Sequence, residues 1–296
     1  MLKKKVIFAF MAVLFLLPFA TFAGASEPIV STDWLQQNLS NANVIIVDVR
    51  KVEEYREGHI PNAINVFYNS WAVTRDGLTN ELPAEDDLRD VIGSLGVGKD
   101  TTVVVVSKID PAPERYNMTR VAWTLRYAGV EKVSILNGGY DRWVADKKEV
   151  STTPTRGKKA SYDASFNKAF HADKAYVAAN LAKTAIVDVR EAPFFNGEKK
   201  LDFVPKAGRI KGAVNLPNSL LYAPEGTFKA ADALAASAAP VVGSDKEKEI
   251  ILYCDTGKTC TAWWLVLHDA LGYKNVKVYD GSSMEWLKDL AAPAEP

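Results

Sequence analysis

The chain is predicted to be an α/β protein built from two tandem domains, each a parallel sheet flanked by helices. Three observations predict this. One ordered set of motifs occurs twice along the chain. Each set alternates short runs rich in Val and Ile with helical stretches. The 296 residues suit about two domains of roughly 150 residues each. Continuous apolar runs suit strands buried on both faces. Strands that alternate with helices argue for a parallel sheet covered by helices.

The first 25 residues are of another kind. Lys3, Lys4 and Lys5 form a basic start, an apolar stretch runs from Val6 to Phe22, and Ala23-Gly24-Ala25 offers a small-residue cleavage site. This is the pattern of a secretory signal peptide over residues 1–25, removed after Ala25. An uncleaved anchor is the rival reading, because about 17 apolar residues lie at the lower limit for spanning. No second apolar run of that length follows. The expected mature protein is periplasmic or secreted, without a membrane partner.

The mature chain then repeats itself. "VIIVDVR" (Val44 to Arg50) returns as "AIVDVR" (Ala185 to Arg190), and "GHIPNAINV" (Gly58 to Val66) as "GRIKGAVNL" (Gly208 to Leu216). "TTVVVVS" (Thr101 to Ser107) answers "EIILYC" (Glu249 to Cys254). "GVEKVSILNGGYDRW" answers "GYKNVKVYDGSSMEW", with Gly and Trp fourteen apart in both, Gly129 to Trp143 and Gly272 to Trp286. "TRVAWTLRYAG" (Thr119 to Gly129) and "TAWWLVLHDALG" (Thr261 to Gly272) read as helices ended by glycine. The expected domains are 28–148 and 166–290. A linker over 149–165 centres on the polar, aperiodic "TTPTRGKKASYD".

Composition excludes one class of partner. Lys and Arg number 36, Asp and Glu 36, so there is no basic excess for nucleic acid. The two cysteines, Cys254 and Cys260, share "ILYCDTGKTC". Export favours disulfides. However, a chain this long buries a sufficient core without one, and so short a loop gives a bridge little entropic leverage. Packing, resolving-thiol and disulfide readings of Cys260 all stay open.

Cys254 falls at the carboxyl end of an expected strand, just before a helix. In open α/β sheets, ligands bind beyond the carboxyl ends of strands. Unpaired N–H groups at a helix start favour negative charge. Gly257 lets the turn take positive φ, so that successive amides converge. Lys258 adds a cation. A sulfur placed there is favoured as thiolate, the nucleophilic form. Asp255 opposes this, so the expected pKa lies in the upper part of roughly 3.5–7.5. Cys260 is expected beyond the ring of amides, its own N–H turned into the first helical turn. A phosphatase loop is excluded, because position 260 holds Cys where a phosphate-clamping Arg is needed.

The chain resembles the rhodanese-like sulfurtransferases, in particular the tandem type that includes thiosulfate and 3-mercaptopyruvate sulfurtransferases. The resemblance rests on "VDVR" with "GHIPNAINV", on "CDTGKTC" after an apolar strand, and on "NGGYDRW". It implies two rhodanese-like domains and a persulfide on Cys254. It also implies a small anionic sulfur donor, a thiol or cyanide-like acceptor, and no metal or organic cofactor. The implied donor site is Asp255, Thr256, Gly257, Lys258 and Thr259, with Arg190 for substrate charge and Arg209 as a weaker candidate. The first domain is expected to be silent, because Ser107 stands where Cys254 does. Ser107 is followed by a longer segment: sixteen residues to Trp123, against nine from Cys254 to Trp263. Its expected role is to wall one side of the site. His59 is expected to be a structural hydrogen-bonder and His268 a surface or packing residue. Departures from the family pattern are Phe194 where a second arginine is usual, and Arg209 in place of histidine. A non-catalytic sulfur carrier or partner-binding protein is the alternative of a different class. A thiol–disulfide oxidoreductase using Cys254 and Cys260 ranks last, because C-x5-C is unlike the usual C-x-x-C.

Overall fold

A computed structural model describes residues 27–296. The signal peptide expected over residues 1–25 therefore lies outside the described residues. The first half contains β1 (Ile29–Val30), β2 (Val44–Asp48), β3 (Ile64–Asn65), β4 (Val73–Arg75), β5 (Leu78–Glu81), β6 (Thr102–Val106) and β7 (Lys132–Leu136). The second contains β8 (His171–Ala172), β9 (Ala185–Asp188), β10 (Arg209–Ile210), β11 (Val214–Asn215), β12 (Ile250–Tyr253), β13 (Val276–Tyr279) and β14 (Ala294–Glu295).

Two five-stranded sheets carry the fold, in the orders β1-β7-β6-β2-β3 and β11-β9-β12-β13-β8. Every neighbouring pair in both sheets is parallel. The second order is the first read in reverse with equivalent strands substituted, so the repeat in sequence is a repeat in topology. The central strands are the apolar runs: Val103–Val106 and Ile250–Tyr253 are fully buried, as strands covered on both faces require.

Local chemistry starts the helices. Ser31 Oγ accepts the Trp34 N–H ahead of helix Thr32–Gln37, and Asp173 Oδ1 accepts the Tyr176 N–H ahead of Lys174–Asn180. The two glycine-ended helices are present, with one difference. Arg115–Tyr127 is a regular α-helix, whereas Cys260–Trp264 continues through Leu265–Ala270 as a wider π-type helix. On that segment His268 stacks on Trp264 at 4.8 Å and packs edge-on against Phe170. Its role is therefore packing.

One apolar core runs through both halves, joining Val103, Trp123 and Tyr127 to Leu252, Trp263 and Trp264. An aromatic side chain of that size removes about 150–250 Å² from water, roughly 4–6 kcal/mol at about 25 cal/mol per Å². The expected linker is strapped to the first half. Ser151 pairs with His59, Thr155 bridges to Ile64, and the Ala160 N–H donates to the Gly93 carbonyl at 2.9 Å. His59 has the structural role expected of it: its ring nitrogens lie 2.7 and 3.0 Å from the Tyr55 and Thr153 carbonyls, and it stacks on Tyr55.

Candidate active site at the Cys254 loop

β12 ends at Tyr253, Cys254 follows, and the next helix starts at Cys260. The five residues between them form the loop. Gly257 sits at φ 70°, and a Cβ there would lie 2.3 Å from the Asp280 carbonyl oxygen. Only glycine fits a left-handed position pressed against backbone.

The loop is clamped from the helix Ser282–Trp286 that follows β13. Ser282 Oγ accepts the N–H groups of Cys254 (3.2 Å) and Gly257 (3.0 Å) and donates to the Tyr279 carbonyl (2.8 Å). The Ser283 and Met284 amides donate to the carbonyls of Cys254 and Asp255. The expected ring of amides is thus divided. Gly257 spends its N–H on Ser282, while the N–H groups of Thr256 and Cys260 and the Thr259 hydroxyl face the Cys254 sulfur. The sequence predicts the Cys260 N–H turned into the first helical turn; it is instead among the donors that lower the Cys254 pKa. Amides in a first helical turn have no intrahelical acceptor and remain free to point at an anion.

Both cysteines are free and buried, with their Sγ atoms 3.7 Å apart. Burial raises the Cys254 pKa. The hydrogen bonds from the Cys260 thiol, Thr259 and the two amides outweigh burial and bring it down to about 5. That is lower than the upper-range value expected from Asp255. The reason lies in Asp255 itself: burial, then the Cys254 charge, push its carboxyl up to about 7 against the pull of Arg190. A carboxyl that is half neutral near pH 7 opposes a thiolate weakly. Burial, then the bond to Cys254, hold the Cys260 thiol well above its ordinary value. A protonated thiol is a hydrogen-bond donor and a poor nucleophile. As a protonated thiol 3.7 Å away, Cys260 is placed to donate toward the Cys254 sulfur.

Arg190 is corrected more fully. Its guanidinium makes paired bonds to Asp188 at 2.6–3.1 Å, donates to the Gly208 carbonyl at 2.9 Å, and reaches Asp255 at 3.4 Å. It is 5% exposed. The first half repeats the unit: Arg50 holds Asp48 and the Gly58 carbonyl in the same way, and Asn65 and Asn215 both donate to the two backbone carbonyls alongside. A pairing kept where there is no cysteine is a fold element, so Arg190 is not the free substrate cation. Arg209 is also occupied, by Glu295 and the Phe195 and Pro296 carbonyls. That leaves Lys258 as the loop's own cation. Burial lowers its pKa, and its ammonium lies 4.8 Å over the Tyr68 ring.

Tyr68 belongs to the first half, which does wall the site. Arg120, fully buried on helix Arg115–Tyr127, donates to the Gly257 carbonyl at 2.9 Å and pairs with both Asp280 oxygens. The Leu82 N–H donates to Asp280 at 2.8 Å, and Asn80 reaches Thr256 at 2.9 Å. Thr119 and Thr261 hydroxyls meet at 3.0 Å. Sequence reasoning missed Arg120, Asp280, Asn80 and Ser282. Nothing local to Arg120 sets it apart, since Arg115 and Arg126 lie on the same helix. Ser107 follows β6 as Cys254 follows β12, fully buried, with its hydroxyl unpaired. Among the described residues, no group of three or more His, Cys, Asp or Glu side chains is placed to hold a metal ion.

Two parallel sheets of one topology, with both cysteines of the chain in one strand-to-helix loop of the second, define a duplicated α/β domain. The chain belongs to the rhodanese-like family, whose domain model matches residues 31–146 and 172–289. It is 31% identical over 277 residues to the sulfur carrier protein TtuD of Thermus thermophilus, covering 88% of this chain and 93% of the relative. It is 32% identical over 287 residues to a Haloferax volcanii protein provisionally named thiosulfate sulfurtransferase, covering 92% and 97%. The crystal structure of SseA from Escherichia coli, a 3-mercaptopyruvate sulfurtransferase, superposes with TM-score 0.73 at 29% identity, covering 87% of this chain and 99% of that one.

Proposed function

We propose that the protein is an exported sulfurtransferase that moves sulfane sulfur through a persulfide on Cys254. The observation that carries this reading is a buried cysteine held as thiolate at neutral pH by two amides, a hydroxyl and a neighbouring thiol. The thiolate attacks the outer sulfur of a donor such as thiosulfate or 3-mercaptopyruvate. The S–S or C–S bond breaks, sulfite or the pyruvate enolate leaves with the electron pair, and Cys254–S–S⁻ remains. The loop amides then bear the persulfide charge. A thiolate or cyanide acceptor attacks the outer sulfur and takes it away, and the Cys254 thiolate is restored. No net oxidation occurs and no cofactor is required.

The test is thiocyanate formation from either donor by the reduced protein. Turnover should vanish in Cys254→Ser and stay within about twofold in Ser107→Ala, because serine without a base is a poor nucleophile. A hundredfold loss in Ser107→Ala with folding intact would move the centre to the first half.

A sulfur carrier is the second reading. It is favoured by the 1% exposure of Cys254 and by the TtuD relative. A carrier loads one sulfur per chain and passes it only to a protein acceptor. Stoichiometric persulfide formation without catalytic thiocyanate release would select it.

A further inference from the structure

Asn80 holds an unusual position. It lies in β5 of a hairpin, β4–β5, that belongs to the first half, and its φ is 64°. Left-handed backbone within a strand costs a non-glycine residue about 1–2 kcal/mol, and Asn is among the few that visit it. What this conformation achieves is aim. Asn80 Nδ2 donates to Thr256 Oγ1 at 2.9 Å, across 176 residues of sequence, while Asn80 Oδ1 accepts the Tyr68 hydroxyl at 2.7 Å. A primary amide carries a donor and an acceptor on separate atoms, so Asn80 can serve both partners at once.

Each end of the relay is fixed. Tyr68 is 8% exposed, and burial holds its phenol well above the ordinary value, so it remains a donor. Its ring also carries the Lys258 ammonium at 4.8 Å. The hairpin is held down on both sides of Asn80: Thr79 donates to Met284 Sδ at 3.9 Å and the Leu82 N–H to Asp280 at 2.8 Å. At the other end, Thr256 lies two residues after Cys254, and its N–H is one of the two backbone donors that lower the Cys254 pKa.

We propose that Asn80 is a positioning residue for sulfur transfer: the silent half uses it, backed by Tyr68, to fix Thr256 so that the Thr256 amide stays aimed at the sulfur of Cys254. This rests on Cys254 being the sulfur carrier atom. Asn80 touches neither sulfur nor substrate and acts through Thr256. A thiolate or persulfide needs aligned donors, because a hydrogen bond loses strength steeply with angle. An untethered loop therefore stabilises the anion less.

The test is the titration of the Cys254 thiolate, read by its ultraviolet absorbance, which does not depend on access to reagents. Asn80→Gly removes the side chain and accepts φ 64° without strain. Its expected effect is an apparent pKa raised by about half a unit to one unit. Alkylation of Cys254 below pH 5 should fall about three- to tenfold, with no slowing above pH 8. Thr256→Val, which keeps the amide and deletes the receiving oxygen, should shift the titration equally, and the double variant should shift it no further. A titration of Asn80→Gly that superposes on the native one would overturn the proposal, as would additive shifts in the double variant. If Asn80→Gly does not fold, an unshifted Thr256→Val overturns it alone. Retained turnover in Cys254→Ser would instead sink the proposed function, so the two failures are distinct.

Discussion

Asp255 is where charge balance at the site is decided. Its carboxyl titrates at about 7 because burial and then the Cys254 thiolate disfavour a second negative charge, while the thiolate itself forms at about 5. For an anionic donor, kcat/KM should rise as pH passes through about 5, when the nucleophile forms, and fall through about 7, when Asp255 ionises beside the incoming anion. Asp255→Asn should remove the alkaline limb and raise kcat/KM at pH 8 about three- to tenfold, the scale of one like charge a few ångströms away in partly screened surroundings. A pH profile of the variant that keeps its fall near 7 would assign that limb elsewhere. The sequence identified the opposing carboxylate correctly but treated it as fully charged, because burial cannot be read from position 255. Arg190 shows the same limit. An arginine two residues after an aspartate reads equally as substrate ligand or as ion-pair partner. Only the repeat of the pairing at Arg50 and Asp48, in the copy without a cysteine, separates the two.

At the scale of elements, strands and helices were legible because the apolar runs are continuous and the repeat doubles each signal. The β4–β5 hairpin was not called, although Asp76-Gly77 is a strong hairpin turn signal and both residues take positive φ. The hairpin has no motif in the second copy to echo it, and the repeat drew attention to what the copies share. The loop itself depends on one backbone position. In Gly257→Ala the added Cβ meets the Asp280 carbonyl oxygen at 2.3 Å and holds φ 70° against its preference. Gly212, at φ 79° with nothing within 4 Å of its Cβ, isolates the conformational cost alone. Gly212→Ala should lower stability by about 1–2 kcal/mol and leave transfer intact. Gly257→Ala should lose at least about tenfold in kcat, and the Cys254 pKa should return toward about 8.5. Equal effects of the two substitutions would mean that close packing of the loop on Asp280 does not shape the anion site.

At the scale of the whole molecule, the half without a cysteine is tied to the half that carries the Cys254 loop by charge as well as by the shared core. Arg120 and Asp280 are 160 residues apart, both buried, and bonded to one another. Such a pair is invisible in sequence, because nothing local to either residue names its partner. The pair also reaches the loop, since Arg120 donates to the Gly257 carbonyl and Asp280 accepts from Leu82 of the first half. Removing one member of a buried pair leaves the other charged and unsatisfied, a loss of about 3–5 kcal/mol, whereas replacing both can be nearly neutral. Arg120→Met keeps an unbranched apolar side chain and deletes the guanidinium that lies 4.7 Å over the Trp123 ring. It should lose about 3–5 kcal/mol in urea unfolding. Adding Asp280→Asn should recover more than half of that, because the neutral side chain still accepts the Leu82 N–H and no longer strands a charge. Stability and activity should then part. The double variant regains its fold yet stays impaired in sulfur transfer, because the Gly257 carbonyl has lost its donor from the first half. Additive losses in the double variant, or a single-variant loss below about 1 kcal/mol, would show that the shared apolar core alone joins the halves and that the ion pair is incidental to how the first half supports the Cys254 loop.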